Sequence, residues 1–361
     1  RTNTRAVNAC QAAIAMNQIV TETDTAEEKM KGVESIRSAL LALEQGYRSL
    51  PVPELEQALI DLRIAAFREA RWQAPTRIPQ HRATTVPNGQ LAEIDASDLD
   101  SETLHSAVAG GGGLIVRGLL HHERVDQLKT LIDQALLARR DMHAGDDIGS
   151  RARHYARPRS IEGGPAQFVF KSNEQRFGST GSMWAVDSPP AACALLELYE
   201  QLGLPKLLRE CFGEPGVLSV KKWVLRKAEP KPEGKSGWHQ DGRFLGQDIR
   251  TINLWIALSH CGGSAPAPGM EILADHQKVI HETGTKGAFF DWVVGPDLVK
   301  ELAENTPVLS PEFQAGDALF FDHFNLHRTQ CSALQTDCRY AVESWFFAAS
   351  NAPKKVIPLL L

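Results

Sequence analysis

No stretch of the 361 residues reaches the roughly 18 to 20 consecutive apolar positions that a membrane-spanning helix needs. The nearest candidates are short pieces such as GLIVRGLL (113–120), so a bilayer partner is not expected. Concentrated positive charge is also lacking. The net charge is −5 and the lysines and arginines are scattered, which leaves no basic footprint for nucleic acid. The six cysteines (Cys10, Cys193, Cys211, Cys261, Cys331, Cys338) form no Cys-x-x-Cys pair and no zinc spacing. We read them as reduced thiols of a cytoplasmic protein. Four consecutive glycines, Gly110 to Gly113, are not followed by Gly-Lys-Ser/Thr and precede a strand rather than a helix, so they do not cradle a phosphate. No internal repeat is present.

With 43% apolar residues the chain can bury a substantial core. Its first part is helical in pattern. Val33, Ile36, Leu40, Leu43, Tyr47 and Leu50 recur at spacings of three and four, with Thr25 and Glu28 as a capping box. Pro53 suits the first turn of a second helix, on which Leu55, Leu59, Leu62 and Ala66 share a face to about Trp72. A weaker helix is expected around Arg5 to Ile19. The apolar stripe of this hairpin serves either as core or as the interface of a homodimer through the N-terminal helices. The proline-bearing stretch Gln73 to Asp100 reads as a surface connector. These features divide the chain into an α-helical N-terminal extension (1–75), a connector (76–102) and a β-rich domain (103–361).

Beyond about Gly216 the texture changes to short β-rich runs between turn residues: GVLSVKKWVLRK, IRTINLWIALS, GMEILAD, GDALFFDHF and CRYAVESWFFAAS. Such spacing predicts a β-sandwich or barrel. Within it, WHQDG places His239 and Asp241 two apart, so that on a strand both side chains meet one ion while Gln240 turns away. A second histidine has to come from elsewhere. His327, read as the far end of the strand in GDALFFDHFNLH, supplies it, with His323 as competitor. Two imidazoles and one carboxylate on one face of an octahedron are the ligand set of non-haem Fe(II) oxygenases. Arg339, opening the last strong run, presents a fork that fits a carboxylate; its partner is either a dicarboxylate co-substrate or an internal acid such as Glu343.

From about Leu104 to Ser350, the order of GGGLIVRGLLHHERVDQLKTLI, WHQDG, INLWIALSHC and GDALFFDHFNLH resembles the phytanoyl-CoA dioxygenase family of Fe(II)/2-oxoglutarate oxygenases. The resemblance implies a mainly β fold with helical additions, built on a double-stranded β-helix (jelly-roll, cupin-like) core. It also implies Fe(II) on His239, Asp241 and His327, with 2-oxoglutarate and O2 as co-substrates and the distal carboxylate of 2-oxoglutarate on Arg339. The expected activity is hydroxylation of an unactivated C–H bond of a small molecule, with release of succinate and CO2. The competing readings are a jelly-roll metal-binding protein and a cupin-type metalloenzyme that does not use 2-oxoglutarate.

The chain departs from the family pattern where it reads HRTQ after His327, adding Arg328, and where LADHQ brings Asp275 and His276 after the middle strand. Further pocket candidates are Asn253 and Trp255 beside the co-substrate, Lys221 and Trp223 on the preceding run, and Lys171 and Arg243 nearby. The arginine-rich SRARHYARPRS (150–160) is a candidate entrance, and the segment His276 to Pro307 a candidate lid.

Overall fold

The computed structural model describes residues 26–49, 52–79, 89–147, 149–156, 181–230 and 236–361. Thr25 of the expected capping box, the helix expected around Arg5 to Ile19, Lys171 and residues 157–160 of the arginine-rich stretch lie outside them. Helices Ala26–Ser49 and Pro53–Glu69 form the expected hairpin, with Pro53 in the first turn of the second. Leu40 and Leu43 close on Leu55, Leu59, Leu62 and Cys193. Ile60 and Ile64 enter the main core. The hairpin is tied down further by Arg153, which ion-pairs at 2.8 Å with Glu56, a carboxylate 1% exposed.

Twelve strands are present among the described residues: β1 (Ala92–Asp95), β2 (Gly113–Arg117), β3 (Ser182–Trp184), β4 (Gly216–Ser219), β5 (Val224–Ala228), β6 (Thr251–Ala257), β7 (Met270–Leu273), β8 (Val308–Leu309), β9 (Ala318–Phe321), β10 (His327–Thr329), β11 (Arg339–Ala348) and β12 (Pro358–Leu360). The large sheet runs β1-β2-β9-β6-β11-β4-β12, with β5 on β11 and β3 on β5. The small sheet is β10-β7-β8. Bridges His239↔His327 and Trp238↔Val294 add Trp238 and His239 to its edge. From β5 onward the chain therefore alternates between the sheets: β5 large, 238–239 small, β6 large, β7 and β8 small, β9 large, β10 small, β11 large. That alternation is a double-stranded β-helix.

β11 shows how the pleat divides the core, because successive side chains point to opposite faces. Val342, Phe346 and Ala348 join the main core under the helices, where Tyr199 Oη meets Ser344 Oγ at 2.5 Å. Arg339, Ala341, Glu343, Trp345 and Phe347 take the opposite face, toward the small sheet. On β6 the same rule turns Asn253 and Trp255, opposite Trp345 and Glu343, to that inner face.

The structure corrects several expectations. The connector contains β1, which pairs in parallel with β2. The glycine run, as expected of a break between a helix and a strand, ends the helix Ser101–Gly111, whose C-cap Gly112 has φ +81°. A Cβ at Gly112 would lie 2.8 Å from Asp275 O, so a side chain is excluded there. GVLSVKKWVLRK is two strands separated by a 3-10 turn, Val220–Lys222. GDALFFDHFNLH is likewise broken: β9 ends at Phe321 in the large sheet, and His327 opens β10 in the small one.

Candidate metal centre

The inner face of the jelly-roll brings three ligand groups together. Ligand atoms of His239, Asp241 and His327 all lie within 4.8 Å of one another, the one such cluster among the described residues. Backbone pairing sets this proximity: His239 N donates to His327 O at 2.9 Å and His327 N to His239 O at 3.1 Å, bringing the rings to 4.4 Å between centroids. Each Nδ1 faces a carbonyl, Gly237 O at 3.0 Å for His239 and Asn325 O at 3.1 Å for His327. A proton on each Nδ1 satisfies those carbonyls and leaves Nε2 as a lone-pair donor. Burial holds both imidazoles down to about 4, with His327 adding to the effect on His239, so both are neutral at physiological pH.

Asp241 is not on a strand. It sits in a helical conformation at the head of a short turn, Gly242–Leu245, which swings its carboxylate toward the histidines. Asn253 Nδ2 donates to Asp241 Oδ2 at 2.6 Å, fixing the carboxylate from β6. Asn253, expected beside the co-substrate, thus touches the acid of the cluster. Burial lifts Asp241 to about 6 against the pull of His239 and Lys222. A bound divalent cation would offset that cost, so the donor set fits a metal. Asn253→Ala is expected to weaken Fe(II) binding about 10- to 100-fold without displacing Asp241 from the site, which an anaerobic Fe(II) titration measures.

Gln240 turns away from the cluster, as strand alternation predicts, but into protein rather than solvent. It is 1% exposed; Nε2 donates to Val279 O at 2.8 Å and Phe324 O at 2.7 Å, and Oε1 accepts from His281 N at 2.7 Å. One side chain therefore fastens the metal-site turn to the segment 276–307 and to the β9–β10 crossing. Removing it leaves three backbone groups without this partner. Gln240→Ala is expected to lower stability by about 2 kcal/mol, read from the urea midpoint at constant m.

Arg339 lies on the same inner face and is 2% exposed. Its Nη1 donates to Gly269 O at 3.0 Å and weakly to Pro268 O at 3.4 Å, while its Nε has no partner. The internal acid proposed for it is taken: Glu343 ion-pairs with Arg226, Nε to Oε1 at 2.5 Å and Nη2 to Oε2 at 2.9 Å. Burial, then the charge of Arg226, lowers the Arg339 guanidinium to about 10. Trp255 supports it, its ring 5.6 Å from the guanidinium and edge-on to Phe313. A buried guanidinium with a free donor and no ion-paired carboxylate among the described residues has the chemistry to receive an incoming acid.

Other candidates fall elsewhere. His323 gives Nε2 to Gln247 O at 2.9 Å and is outside the cluster. Arg328 pairs with Glu271 across β7 and β10 and lies over Trp238, so its charge is neutralised. His276 pairs with Asp322 at 2.7 Å, and Asp275 is exposed. Arg243 Nε reaches Thr283 Oγ1 at 2.9 Å on the segment 276–307. Arg151 and Arg153 are bound to Asp141 and Glu56. Trp223 is fully buried on the helix side, donating to Tyr199 Oη at 2.9 Å.

Sequence alternation pointed to Lys221, but the 3-10 turn shifts the phase and delivers Lys222 to the inner face instead, near Asp241 and Glu343. Trp292 was missed as well; it lies edge-on to His239, 5.9 Å between centroids. No short-range signal marks it, since it comes from the middle of the long 276–307 segment. A surface cavity of about 370 Å³, lined by residues including Lys129, His260, Cys338 and Tyr340, shares no residue with this centre.

A family model for phytanoyl-CoA dioxygenase (PhyH) matches residues 110–331, more than half of the chain and including His239, Asp241 and His327. The chain belongs to the phytanoyl-CoA dioxygenase family. Fe(II) and 2-oxoglutarate are the family's metal and co-substrate, and the chain is an Fe(II)/2-oxoglutarate oxygenase by membership. No curated protein matches the sequence. Among solved structures it is similar to EctD from S. alaskensis with 2-oxoglutarate and 5-hydroxyectoine, at 14% identity and TM-score 0.49, over 78% of this chain and 87% of that one. It is also similar to the epimerase SnoN in complex with Fe3+, alpha ketoglutarate and nogalamycin RO, at 14% identity and TM-score 0.44, over 70% and 86%. AviO1 from Streptomyces viridochromogenes Tue57 is similar at 16% identity and TM-score 0.45, over 71% and 98%. The fold assignment itself rests on the strand order above. No helix of the described residues is long and apolar enough to cross a membrane.

Proposed function

We propose that the protein hydroxylates an unactivated C–H bond of a small-molecule substrate, with His239, Asp241 and His327 holding Fe(II) and Arg339 holding the distal carboxylate of 2-oxoglutarate. The observation that carries this reading is the pairing, on one inner face, of the His-Asp-His cluster with a buried arginine that has an unused donor. Bound together, Fe(II) and 2-oxoglutarate activate dioxygen for C–H oxidation, releasing succinate and CO2.

The side chains supply position and shelter. The Gly237 and Asn325 carbonyls orient both imidazoles, and Asn253 orients Asp241, so the ligands meet the metal without reorganisation. Trp255 and Phe313 close an apolar layer near Arg339, excluding water from the carboxylate–guanidinium contact and strengthening it. With Asp241 present, its carboxylate would fill a ligand position that a halide would need, which favours hydroxylation over halogen transfer. Trp292, from the segment 276–307, lies edge-on to His239, which supports reading that segment as a lid.

The division of the chain at about 75 and 102 belongs to the same proposal, as does a cytoplasmic setting, which the five described free cysteines support. A homodimer through the N-terminal helices would use Leu41, 60% exposed on the first of them. The enzymatic reading is tested by incubating the protein with Fe(II), ascorbate and 2-oxoglutarate across a metabolite panel. Substrate-stimulated succinate release with one added hydroxyl is expected; a metal-bound protein that releases no succinate with any substrate or alone would sink it.

A further inference from the structure

His239 and His327 stand on strands that share very little ladder. Among the described residues, 237–239 and β10 are joined by one exchanged pair of backbone bonds, His239 N to His327 O at 2.9 Å and His327 N to His239 O at 3.1 Å. Asp241 has already left the extended backbone for a turn. So short a pairing specifies register weakly by itself. Yet two imidazoles share an ion only when their donor atoms are held to within about 0.5 Å.

The missing restraint lies on the back of the same strands. Successive side chains alternate, so the residues beside the two histidines point away from the cluster. In this antiparallel register Trp238 stands across from Arg328, and Arg328 across from Glu271 on β7. The Arg328 guanidinium lies over the Trp238 ring, 4.9 Å from its centroid, while its Nε donates to Glu271 Oε2. Trp238 is itself fixed: it packs with Leu273, Leu326, Val294 and Val299, and its carbonyl accepts from Val294 N at 2.8 Å. Ile272, opposite His327, belongs to the inner face instead. One side chain therefore spans three strands, in the row directly behind His239, His327 and Ile272. Arginine suits this place because a planar guanidinium stacks by its face on an indole and donates from its edge at the same time.

Resting on the ligand assignment above, we propose that Arg328 is a positioning residue for the metal centre. By clamping Trp238 to Glu271 it fixes the register and separation of the strands that present His239 and His327. This role runs against its charge. A cation near a divalent ion disfavours binding, so by electrostatics alone the removal of Arg328, with Glu271 left unpaired, tightens the metal. Removal of a clamp weakens it.

The test titrates Co(II), an oxygen-stable stand-in for Fe(II), into the full chain without co-substrate, with calorimetry for affinity and the d–d absorption for coordination geometry. Arg328→Met is expected to weaken Co(II) about tenfold, the lower end of what losing a residue that supports a metal ligand costs, and to shift the d–d bands. The Arg328 and Glu271 side chains are 28% and 16% exposed, so their replacement leaves the fold intact, which urea unfolding checks. Glu271→Met should weaken Co(II) as well, and the double variant by no more than about twofold beyond Arg328→Met, because the two residues act as one unit. The proposal is overturned if Arg328→Met tightens Co(II), if it leaves the affinity within about twofold of wild type, or if the double variant returns to wild-type affinity. Charge or fold stability alone then describes the residue, and the ligand assignment stands. A wild type that binds no Co(II), or whose binding survives His239→Ala, overturns the ligand assignment itself and the clamp with it.

Discussion

Arg339→Met raises the KM for 2-oxoglutarate by about 100- to 4,000-fold while Fe(II) affinity stays within about twofold. The magnitude follows from what the residue offers. Breaking one side of a buried charge pair costs about 3–5 kcal/mol, and each 1.4 kcal/mol is about tenfold in affinity. Arg339 is 2% exposed, its Nε is unpartnered and Glu343 is engaged by Arg226, so no neighbouring acid can take the place of the co-substrate. A thermodynamic readout independent of turnover is available. At 2-oxoglutarate one hundred times its dissociation constant, iron-loaded wild type gains about 2.7 kcal/mol of stability, and the variant gains almost none under the same conditions. A variant with an unchanged KM and an intact 2-oxoglutarate-induced stabilisation would mean that Arg339 merely braces Gly269 and Pro268.

The second large effect concerns the carboxylate of the cluster. Asp241→Ala abolishes substrate-stimulated succinate formation and weakens Fe(II) by more than the 10- to 100-fold expected, in round terms, for an orienting residue such as Asn253. Loss of a ligand removes a bond and the one negative charge of the cluster, whereas loss of Asn253 only frees the carboxylate to rotate. The metal-free fold should survive. Deleting a buried carboxyl lifted to about 6 relieves a cost, while Asn253 Nδ2 loses its acceptor, and the two effects oppose, so the net change is on the order of 1–2 kcal/mol. Normal succinate formation in Asp241→Ala would refute the ligand assignment; calorimetric melting of the metal-free variant separates that outcome from unfolding.

The candidate metal residues were legible in the chain because their chemistry is local: imidazole and carboxylate two positions apart, a second histidine after a β-rich run, and an arginine opening the next. The helical hairpin was legible for a similar reason, since apolar recurrence at three and four requires no knowledge of partners. Phase errors entered where a strand was assumed to continue. Alternation holds only while the backbone stays extended, and the 3-10 turn at Val220–Lys222 exchanged Lys221 for Lys222. Alternation did foretell that Gln240 turns away from the cluster, but not the burial and the three backbone partners that make it a clasp.

By itself, then, the sequence determined the candidate donor set, the helical hairpin and the family, because residue type, spacing and order are properties of the chain alone. Only the tertiary structure decided what each polar group meets: that Glu343 belongs to Arg226, that Asn253 serves Asp241, and that His327 reaches His239 from the opposite sheet to β9. It also decided that Trp292 lies edge-on to His239 and that Lys222, rather than Lys221, takes the inner face in the field of Asp241 and Glu343. These pairings link residues far apart in the chain, and their energies depend on burial and distance, quantities that exist only once the two sheets have closed on each other.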